Sequence, residues 1–195
     1  MKTIGITGGV GAGKSEVLKY IQENYKCKII IADALAYELE SPGNICYEEI
    51  LDLIGRDTID ENGLIIKNQM AKKIFENPDL LESVNAIIHP AVKRVIIEKM
   101  ELEKQRGEID YFFVEAALLI EEGYDRILDE LWYIRADEDI RRDRLKQSRG
   151  YSDEKIDNIF ASQLDDSIFL EKCKVIIDNG SELNNTFEQI KKALN

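Results

Sequence analysis

The sequence contains little cysteine, and the cysteines that it has are widely spaced. Cys27, Cys46 and Cys173 form no C-x-x-C pair, and three is an odd number. An odd set of distant cysteines fits no closed disulfide framework, so we expect reduced thiols in a cytoplasmic protein. The one histidine, His89, and the scattered cysteines also give none of the ligand spacings typical of a zinc site.

Positive charge is scarce as well. The chain has 26 Lys and Arg against 38 Asp and Glu, which gives a formal charge of −12 and a pI of about 4.7. Proteins that bind nucleic acid without regard to sequence gain affinity from basic side chains that displace counterions from phosphates. The composition therefore argues against DNA or RNA as a partner, and the aromatic residues show no stacking pattern that would offset it.

Long apolar runs and linkers are also missing. No apolar run approaches the roughly 18 residues needed to cross a bilayer, so we expect no membrane association. The segment Thr3–Thr7 leaves no room for a signal peptide before it, which argues against export. With only 3 prolines and no Ser/Gly-rich linker, the 195 residues are expected to fold as one unit.

Short apolar segments alternate with helical ones along the chain. Strands are predicted at residues 3–7, 28–31, 111–114, 130–134 and 174–177. Residues 47 to about 106 are instead mostly amphipathic helix, with expected interruptions near Asp60–Gly63 and at His89–Pro90. The alternation predicts an α/β fold with a parallel sheet covered on both faces, and a helical insertion.

A complete phosphate-binding loop follows the first predicted strand. Gly8, Gly13, Lys14 and Ser15 occupy the fixed positions of G-x-x-x-x-G-K-[ST]. Backbone N–H groups of such a loop converge on phosphate oxygens, Lys14 reaches the β- and γ-phosphates, and the Ser15 hydroxyl can ligate Mg²⁺. The predicted helix after the loop adds its positive N-terminal end. The alternative is a glycine turn that binds nothing.

The loop alone does not determine the reaction, because ATPases, GTPases and kinases of nucleosides or metabolites all use it. Asp33 follows the second predicted strand, where its carboxylate could deprotonate an acceptor hydroxyl or, alternatively, cap the next helix. Glu115 ends the third predicted strand and could hold Mg²⁺ through a water; a capping or solvated role is the alternative.

Arginines are concentrated late in the chain. Five of the nine lie within fifteen residues: Arg135, Arg141, Arg142, Arg144 and Arg149. Such a cluster can clamp a transferring phosphoryl group, or it can form a solvated helix paired with the neighbouring acidic residues. The segment Ser148–Ser152 then resembles the tip of a lid that excludes water. His89, in an apolar helical setting, is interpreted from its surroundings alone as a packed or capping residue, with a ligand-binding role as the alternative.

Several segments together resemble the dephospho-coenzyme A kinase family. These segments appear in the family's order and spacing from residue 3 to about 180. They are the phosphate loop, Ala32-Asp33, Pro42-Gly43, Ile88-His89-Pro90, Leu118-Leu119-Ile120-Glu121, Arg144-Leu145, Gln163 and Ile177-Asp178-Asn179. The resemblance implies ATP-dependent phosphorylation of the ribose 3′-hydroxyl of dephospho-CoA on a P-loop NTPase-type sheet. It also implies a core of residues 1–46, 107–140 and 173–195, a helical substrate region over about 47–106, and a lid over about 141–172.

The resemblance also implies roles for individual residues. Asp33, Lys14 and Arg144 would be catalytic, and Asp33, His89 and Leu118 would contact the substrate. The loop motif and the position of Glu115 at a strand end give Ser15 and Glu115 as the expected Mg²⁺ ligands. ATP would be bound by Gly9, Val10, Gly11, Ala12, Gly13, Lys14, Ser15, Glu16 and Asn179.

The chain departs from the family pattern at four places. Tyr37 and Phe169 replace usually basic residues, Ala117 replaces a proline, and Ser148-Arg149 replaces Arg-Asp. A kinase for another nucleoside or nucleotide-like acceptor, or an ATP-binding protein without transfer activity, is therefore the alternative. The expected partner is a small molecule, and the expected assembly is a monomer or a weak homo-oligomer.

Overall fold

A computed structural model describes residues 1–195. Five strands form one sheet in the order β2-β3-β1-β4-β5, and the pairs β1–β3, β1–β4 and β4–β5 are parallel. The strands are β1 (Lys2–Thr7), β2 (Cys27–Ile31), β3 (Tyr111–Glu115), β4 (Glu130–Arg135) and β5 (Val175–Asp178). All five predicted strands are confirmed to within one residue at each end, as is the predicted α/β class.

Nine α-helices connect and follow these strands. They are α1 (Lys14–Asn24), α2 (Ala32–Leu39), α3 (Tyr47–Ile54), α4 (Lys67–Glu76), α5 (Pro78–Arg106), α6 (Glu138–Arg149), α7 (Asp153–Ala161), α8 (Asp166–Lys172) and α9 (Leu183–Leu194). Two short 3₁₀ turns lie at Arg56–Thr58 and Tyr124–Arg126. No helix combines the length and the apolar character that crossing a membrane requires.

The chain divides into two compact units. One consists of residues 1–30 and 103–195 and contains the sheet, and the other consists of residues 31–102 and is helical. The helical unit thus begins at residue 31, at the end of β2. The division into a core, a substrate region and a lid stays a prediction.

The core of the sheet unit explains why its strands are so apolar. β1, β3 and β4 are buried along nearly their whole length, as expected for parallel strands covered on both faces. The core cluster combines strand residues with one face each of α1 and α9, and it includes Ile4, Ile6, Phe113, Trp132, Val17, Ile21 and Ile190. Because β1, β3, β4 and β5 run parallel, their carboxyl ends lie at the same edge of the sheet.

In the helical unit, one predicted interruption is confirmed and the other is wrong. Asp60 Oδ1 accepts hydrogen bonds from the backbone N–H groups of Asn62 and Leu64, and this turn separates α3 from α4. Pro90, by contrast, lies inside the continuous 29-residue helix α5. An internal proline removes one backbone hydrogen bond and disfavours a helix by about 3 kcal/mol.

Burial on either side of Pro90 accounts for the continuous helix. Val84 and Ile88 before it, and Val92 and Ile96 after it, are all nearly or fully buried. Burying such side chains stabilises by about 1.5–3 kcal/mol each, which outweighs the local cost of the proline.

Glu130 starts β4 at the amino edge of the sheet with only 1% of its side chain exposed. Lys2 Nζ and Lys174 Nζ lie 2.7 and 3.0 Å from its carboxylate oxygens, and Trp132 Nε1 donates to it at 2.8 Å. Burial alone would raise the pKa of Glu130, but the hydrogen bonds from Lys2, Trp132 and Lys174 together lower it below its usual value. The carboxylate therefore stabilises the fold in its ionised form.

We expect Glu130→Gln to lower the free energy of unfolding by about 2 kcal/mol at pH 7, because it leaves the lysines without a buried counter-charge. A depressed pKa contributes stability above the unfolded-state pKa and loses it as the pH falls. Urea denaturation should thus show the gap between wild type and variant closing below about pH 4. Glu188→Gln, which removes an exposed ion pair with Lys191, is the control and should cost less than about 0.5 kcal/mol. An equally large gap at pH 3 would contradict this account.

Candidate phosphate-binding and phosphoryl-transfer site

The predicted phosphate loop has the local structure that the motif requires. β1 ends at Thr7, the loop occupies residues 8–13, and α1 begins at Lys14 with Gly13 as its N-cap. Because β1 is flanked by β3 and β4, the loop leaves from the middle of the sheet at its carboxyl edge. Parallel α/β sheets place their ligands at this edge.

Two glycines of the loop are required by the backbone and by close neighbours. Gly8 has φ +147°, and a Cβ there would lie 2.4 Å from the Ile134 carbonyl oxygen. Gly13 has φ +87°, and its Cβ would lie 2.3 Å from Asn179 Nδ2. A side chain at position 8 would collide with β4, and one at position 13 would collide with the segment after β5. Both positions therefore require glycine.

The backbone of the loop presents hydrogen-bond donors. The Ala12 N–H bonds within the loop to the Gly9 carbonyl at 3.1 Å, whereas the N–H groups of Gly11, Gly13 and Ser15 donate to no acceptor in the protein. Donors of this kind at the N-terminus of a helix, together with the helix dipole, bind anions. The loop therefore fits a phosphate group.

Lys14 and Glu115 meet beside the loop. Lys14 Nζ donates to the Gly8 carbonyl at 2.8 Å and lies 3.6 Å from Glu115 Oε1, and each side chain is only 15% exposed. Glu115 reaches this place because it ends β3 opposite Ile6 of β1. The ammonium group is thus held at the start of the loop, with a carboxylate next to it.

The residues present also fit a magnesium ion bound together with a nucleotide. No group of three or more His, Cys, Asp or Glu side chains could hold a metal ion. Mg²⁺ at nucleotide sites does not need one, because phosphates and waters supply most of its ligands and the protein supplies one or two. Ser15, in the first turn of α1, and Glu115, at the end of β3, are oxygen donors of the required type.

Arg144 and Asn179 form hydrogen bonds with the second half of the loop, residues 11–13; residues 8–10 are its first half. The Arg144 guanidinium donates to the carbonyls of Gly11 (3.4 Å), Ala12 (3.3 Å) and Asn179 (2.8 Å). Asn179 is 1% exposed, and its Nδ2 donates to the Ala12 carbonyl at 2.7 Å. Both side chains therefore contact the carbonyl groups of the loop, and they connect it to α6 and to the segment after β5.

Sequence reasoning missed Thr186, which orients Asn179. This threonine is fully buried in α9, and its hydroxyl donates to Asn179 Oδ1 at 2.9 Å. That bond leaves the Asn179 amide nitrogen directed at the loop. No motif in the sequence marks Thr186, since its contact arises only from the packing of α9 beside β5.

Two of the other clustered arginines, Arg142 and Arg135, have acidic partners. Arg142 contacts Asp153 at 3.0 Å, Asp157 at 2.6 Å and Glu138 at 3.4 Å, and hydrogen bonding to Asp157 raises its pKa above the usual value. Arg135 lies 2.9 Å from Asp137. These contacts match the alternative of charged helices paired with acidic neighbours, and they hold α6 against α7.

In the helical unit, Asp33 is exposed and lies in the first turn of α2, directly after β2. The N-cap residue of α2 is Ile31, and no side chain caps this helix. The structure therefore does not show the capping alternative, and the role of Asp33 as a general base stays a prediction.

Two further predicted residues occupy different environments. His89 is half-buried within α5, in the helical unit. Leu118 lies in the sheet unit, in the turn after β3, with 45% of its surface exposed, while the adjacent Leu119 is fully buried. An exposed leucine at the carboxyl edge of the sheet is available for an apolar contact.

Three residues that depart from the family pattern, Tyr37, Phe169 and Ser148, have partners in the structure. Lys67 Nζ lies 4.1 Å from the centre of the Tyr37 ring, and the Phe169 ring stacks on Tyr133 at 4.7 Å. The Ser148 hydroxyl donates to the Arg144 carbonyl of its own helix at 2.6 Å. These departures are therefore accommodated by stacking and hydrogen bonding.

Known proteins resemble this chain along nearly its whole length. The chain matches the family model described as dephospho-CoA kinase over residues 2–185. It is 32% identical to a dephospho-CoA kinase of Streptococcus agalactiae over 99% of this chain and 97% of the relative. It is 33% identical to one of Carboxydothermus hydrogenoformans over 96% of this chain and 90% of the relative.

Solved structures show the same fold. A crystal structure of a Thermus thermophilus protein superposes with a TM-score of 0.83 at 26% identity, covering 99% of this chain and 95% of that one. The dephospho-CoA kinase of Campylobacter jejuni gives 0.73 at 22% identity, covering 100% and 96%. A shikimate kinase of Bacteroides thetaiotaomicron gives 0.58 at 12% identity over 98% and 95%, so the fold is that of P-loop kinases.

We expect Asn179→Ala to weaken ATP binding about tenfold, because the Ala12 carbonyl and the Thr186 hydroxyl both lose a buried partner and the loop loosens. Calorimetric titration with ATP measures this. Asn185→Ala, which removes only an exposed 3.4 Å contact with Ser181, is the control and should leave the affinity within about twofold. Equal effects from the two variants would show that the Asn179 contact does not support the loop.

Proposed function

Since the chain belongs to the dephospho-CoA kinase family, we propose that it transfers the γ-phosphoryl group of ATP to the ribose 3′-hydroxyl of dephospho-CoA, giving CoA and ADP. The single observation that carries the proposal is the glycine loop with Lys14 and Glu115 at the carboxyl edge of the sheet, in a chain that matches the family over residues 2–185. As a P-loop kinase, the chain acts on a small molecule and uses ATP.

The loop and Lys14 stabilise the phosphates in this proposal. The N–H donors of Gly11, Gly13 and Ser15 surround phosphate oxygens, and the Lys14 ammonium neutralises charge between the β- and γ-phosphates. The neighbouring residues Gly9, Val10, Ala12 and Glu16 line the same nucleotide site. Held near Gly8 and Glu115, the ammonium needs little rearrangement when the phosphates bind.

Ser15 and Glu115 would hold Mg²⁺ in the proposed complex. When bound, the ion neutralises charge that develops on the phosphate oxygens. Arg144 and Asn179 shape the second half of the loop, and Asn179 borders the adenine. Arg144, in α6, is proposed as a catalytic residue for the transfer of the phosphoryl group.

Asp33 is the proposed general base. The 3′-oxygen attacks the γ-phosphorus, its proton passes to the Asp33 carboxylate, and the bond from phosphorus to the β–γ bridging oxygen breaks to release ADP. An exposed carboxylate with no capping bond supports this role. His89 and Leu118 contact the dephospho-CoA, Leu118 through an apolar surface. A cytoplasmic location and a monomer or weak homo-oligomer remain predictions.

The activity is tested with purified protein, Mg·ATP and dephospho-CoA, and the product is identified by mass. We expect CoA to form only when all three are present. A panel of nucleosides in place of dephospho-CoA is the comparison. Phosphorylation of a nucleoside but not of dephospho-CoA would overturn the proposed substrate, and no phosphorylated acceptor at all would overturn the proposed reaction.

We expect Asp33→Asn to lower kcat at least about 100-fold, because a general base contributes on that scale, and to leave ATP affinity within about twofold. Steady-state kinetics and titration with ATP separate the two effects. Glu38→Gln, an exposed carboxylate on the same helix α2, is the control and should retain full activity. Unchanged turnover in Asp33→Asn would remove the residue from the mechanism.

A further inference from the structure

A buried arginine touches the first half of the phosphate loop, where no role has yet been assigned to it. Arg141 lies in α6 and is only 9% exposed. Its Nε donates to the Val10 carbonyl at 3.0 Å. A Cβ built on Gly9 would lie 2.4 Å from the Arg141 guanidinium carbon, so the charged group rests directly on the loop backbone.

The charge of Arg141 has no ion-pair partner. The two carboxylates that act on it electrostatically are Asp166 and Glu138, and neither forms an ion pair with it. Asp166 accepts a 2.6 Å hydrogen bond from the Tyr133 hydroxyl and lies 3.5 Å from Arg135, and Glu138 pairs with Arg142 at 3.4 Å.

The remaining acceptors of Arg141 are neutral. They are the Val10 carbonyl and the side-chain oxygen of Gln163, to which a guanidinium N–H donates. Burial lowers the pKa of Arg141 from its usual value, but an arginine stays protonated at neutral pH. A buried cation without a counter-charge is costly unless an anion joins it. The anion for which this loop is built is a nucleotide phosphate.

The position of Arg141 also indicates which phosphate it meets. Lys14 Nζ, which reaches the β- and γ-phosphates in loops of this type, bonds to the Gly8 carbonyl, and the Arg141 guanidinium lies on the next residue, Gly9. Arg144, one turn later, lies instead on the carbonyls of Gly11 and Ala12. The two arginines therefore contact opposite halves of the loop.

We propose that Arg141 is a further catalytic residue, whose guanidinium binds the γ-phosphoryl group beside Gly9 and stabilises its charge during transfer. This inference rests on the proposed function for the identity of the nucleotide. The guanidinium also stacks on the Phe160 ring at 4.3 Å and bonds to Gln163. These contacts connect the guanidinium to the end of α7, within the predicted lid.

The test compares ATP with ADP, which lacks the γ-phosphate. We expect Arg141→Gln to weaken ATP binding at least about tenfold and ADP binding less than about threefold, and to lower kcat about 100-fold or more. Arg142→Gln is the matched control, because this arginine pairs with Asp153 and Asp157, and its ratio of ATP to ADP affinity should equal that of the wild type. The binding experiment needs no acceptor, so its outcome is separate from the activity test with dephospho-CoA.

Equal weakening of ATP and ADP binding would show that Arg141 only supports the loop, and unchanged binding of both would exclude any role at the phosphates.

Gly9→Ala gives a second test that does not mutate Arg141. The added methyl group would displace the guanidinium from the loop. The variant should show the same selective loss for ATP and should add nothing further in the Arg141→Gln background. Additive effects in the double variant would overturn the proposal, and Gly9→Ala alone decides it if Arg141→Gln does not fold.

Discussion

The close approach of the phosphate loop to its neighbours is the constraint on which the site depends. Gly8 lies against the backbone of β4, and Gly13 lies against the Asn179 side chain, at distances that leave no room for a Cβ. Because the loop is pressed between these segments, its backbone donors are preorganised before any ligand binds. Preorganised donors stabilise phosphate charge without reorganisation during the reaction.

The arrangement of charge follows from this loop. The protein carries a formal charge of −12, yet three cations meet at the loop motif of residues 8–15. Lys14 belongs to the motif, and Arg141 and Arg144 donate hydrogen bonds to its carbonyls. A compact triphosphate needs only these local cations, so the net negative charge of the whole protein does not prevent its binding. Lys14 and Arg141 contact the carbonyls of Gly8 and Val10, and Arg144 contacts those of Gly11 and Ala12, so the positive charge is distributed along the loop.

The acidic residues that surround α6 have partners other than Arg141. Asp153 and Asp157 hold Arg142, and Asp166 is engaged by Tyr133 and Arg135. These pairs join the helices that follow β4 without neutralising Arg141. The acidic surface is thus part of the reason why one guanidinium next to the loop keeps its charge for a ligand.

Local signals in the sequence determined much of this protein. The spacing of Gly8, Gly13, Lys14 and Ser15 predicts the loop, and apolar runs predict all five strands, because both signals are carried by adjacent residues. Tertiary packing decided the rest. Pro90 remains inside α5 because buried side chains on both sides outweigh one lost hydrogen bond. Arg141, Arg142 and Arg144 look alike in the sequence, but the first lies on Gly9, the second pairs with aspartates and the third holds the Ala12 carbonyl. The side-chain type supplies the charge, and only the packing of α6 against the loop and α7 decides which partner each charge meets.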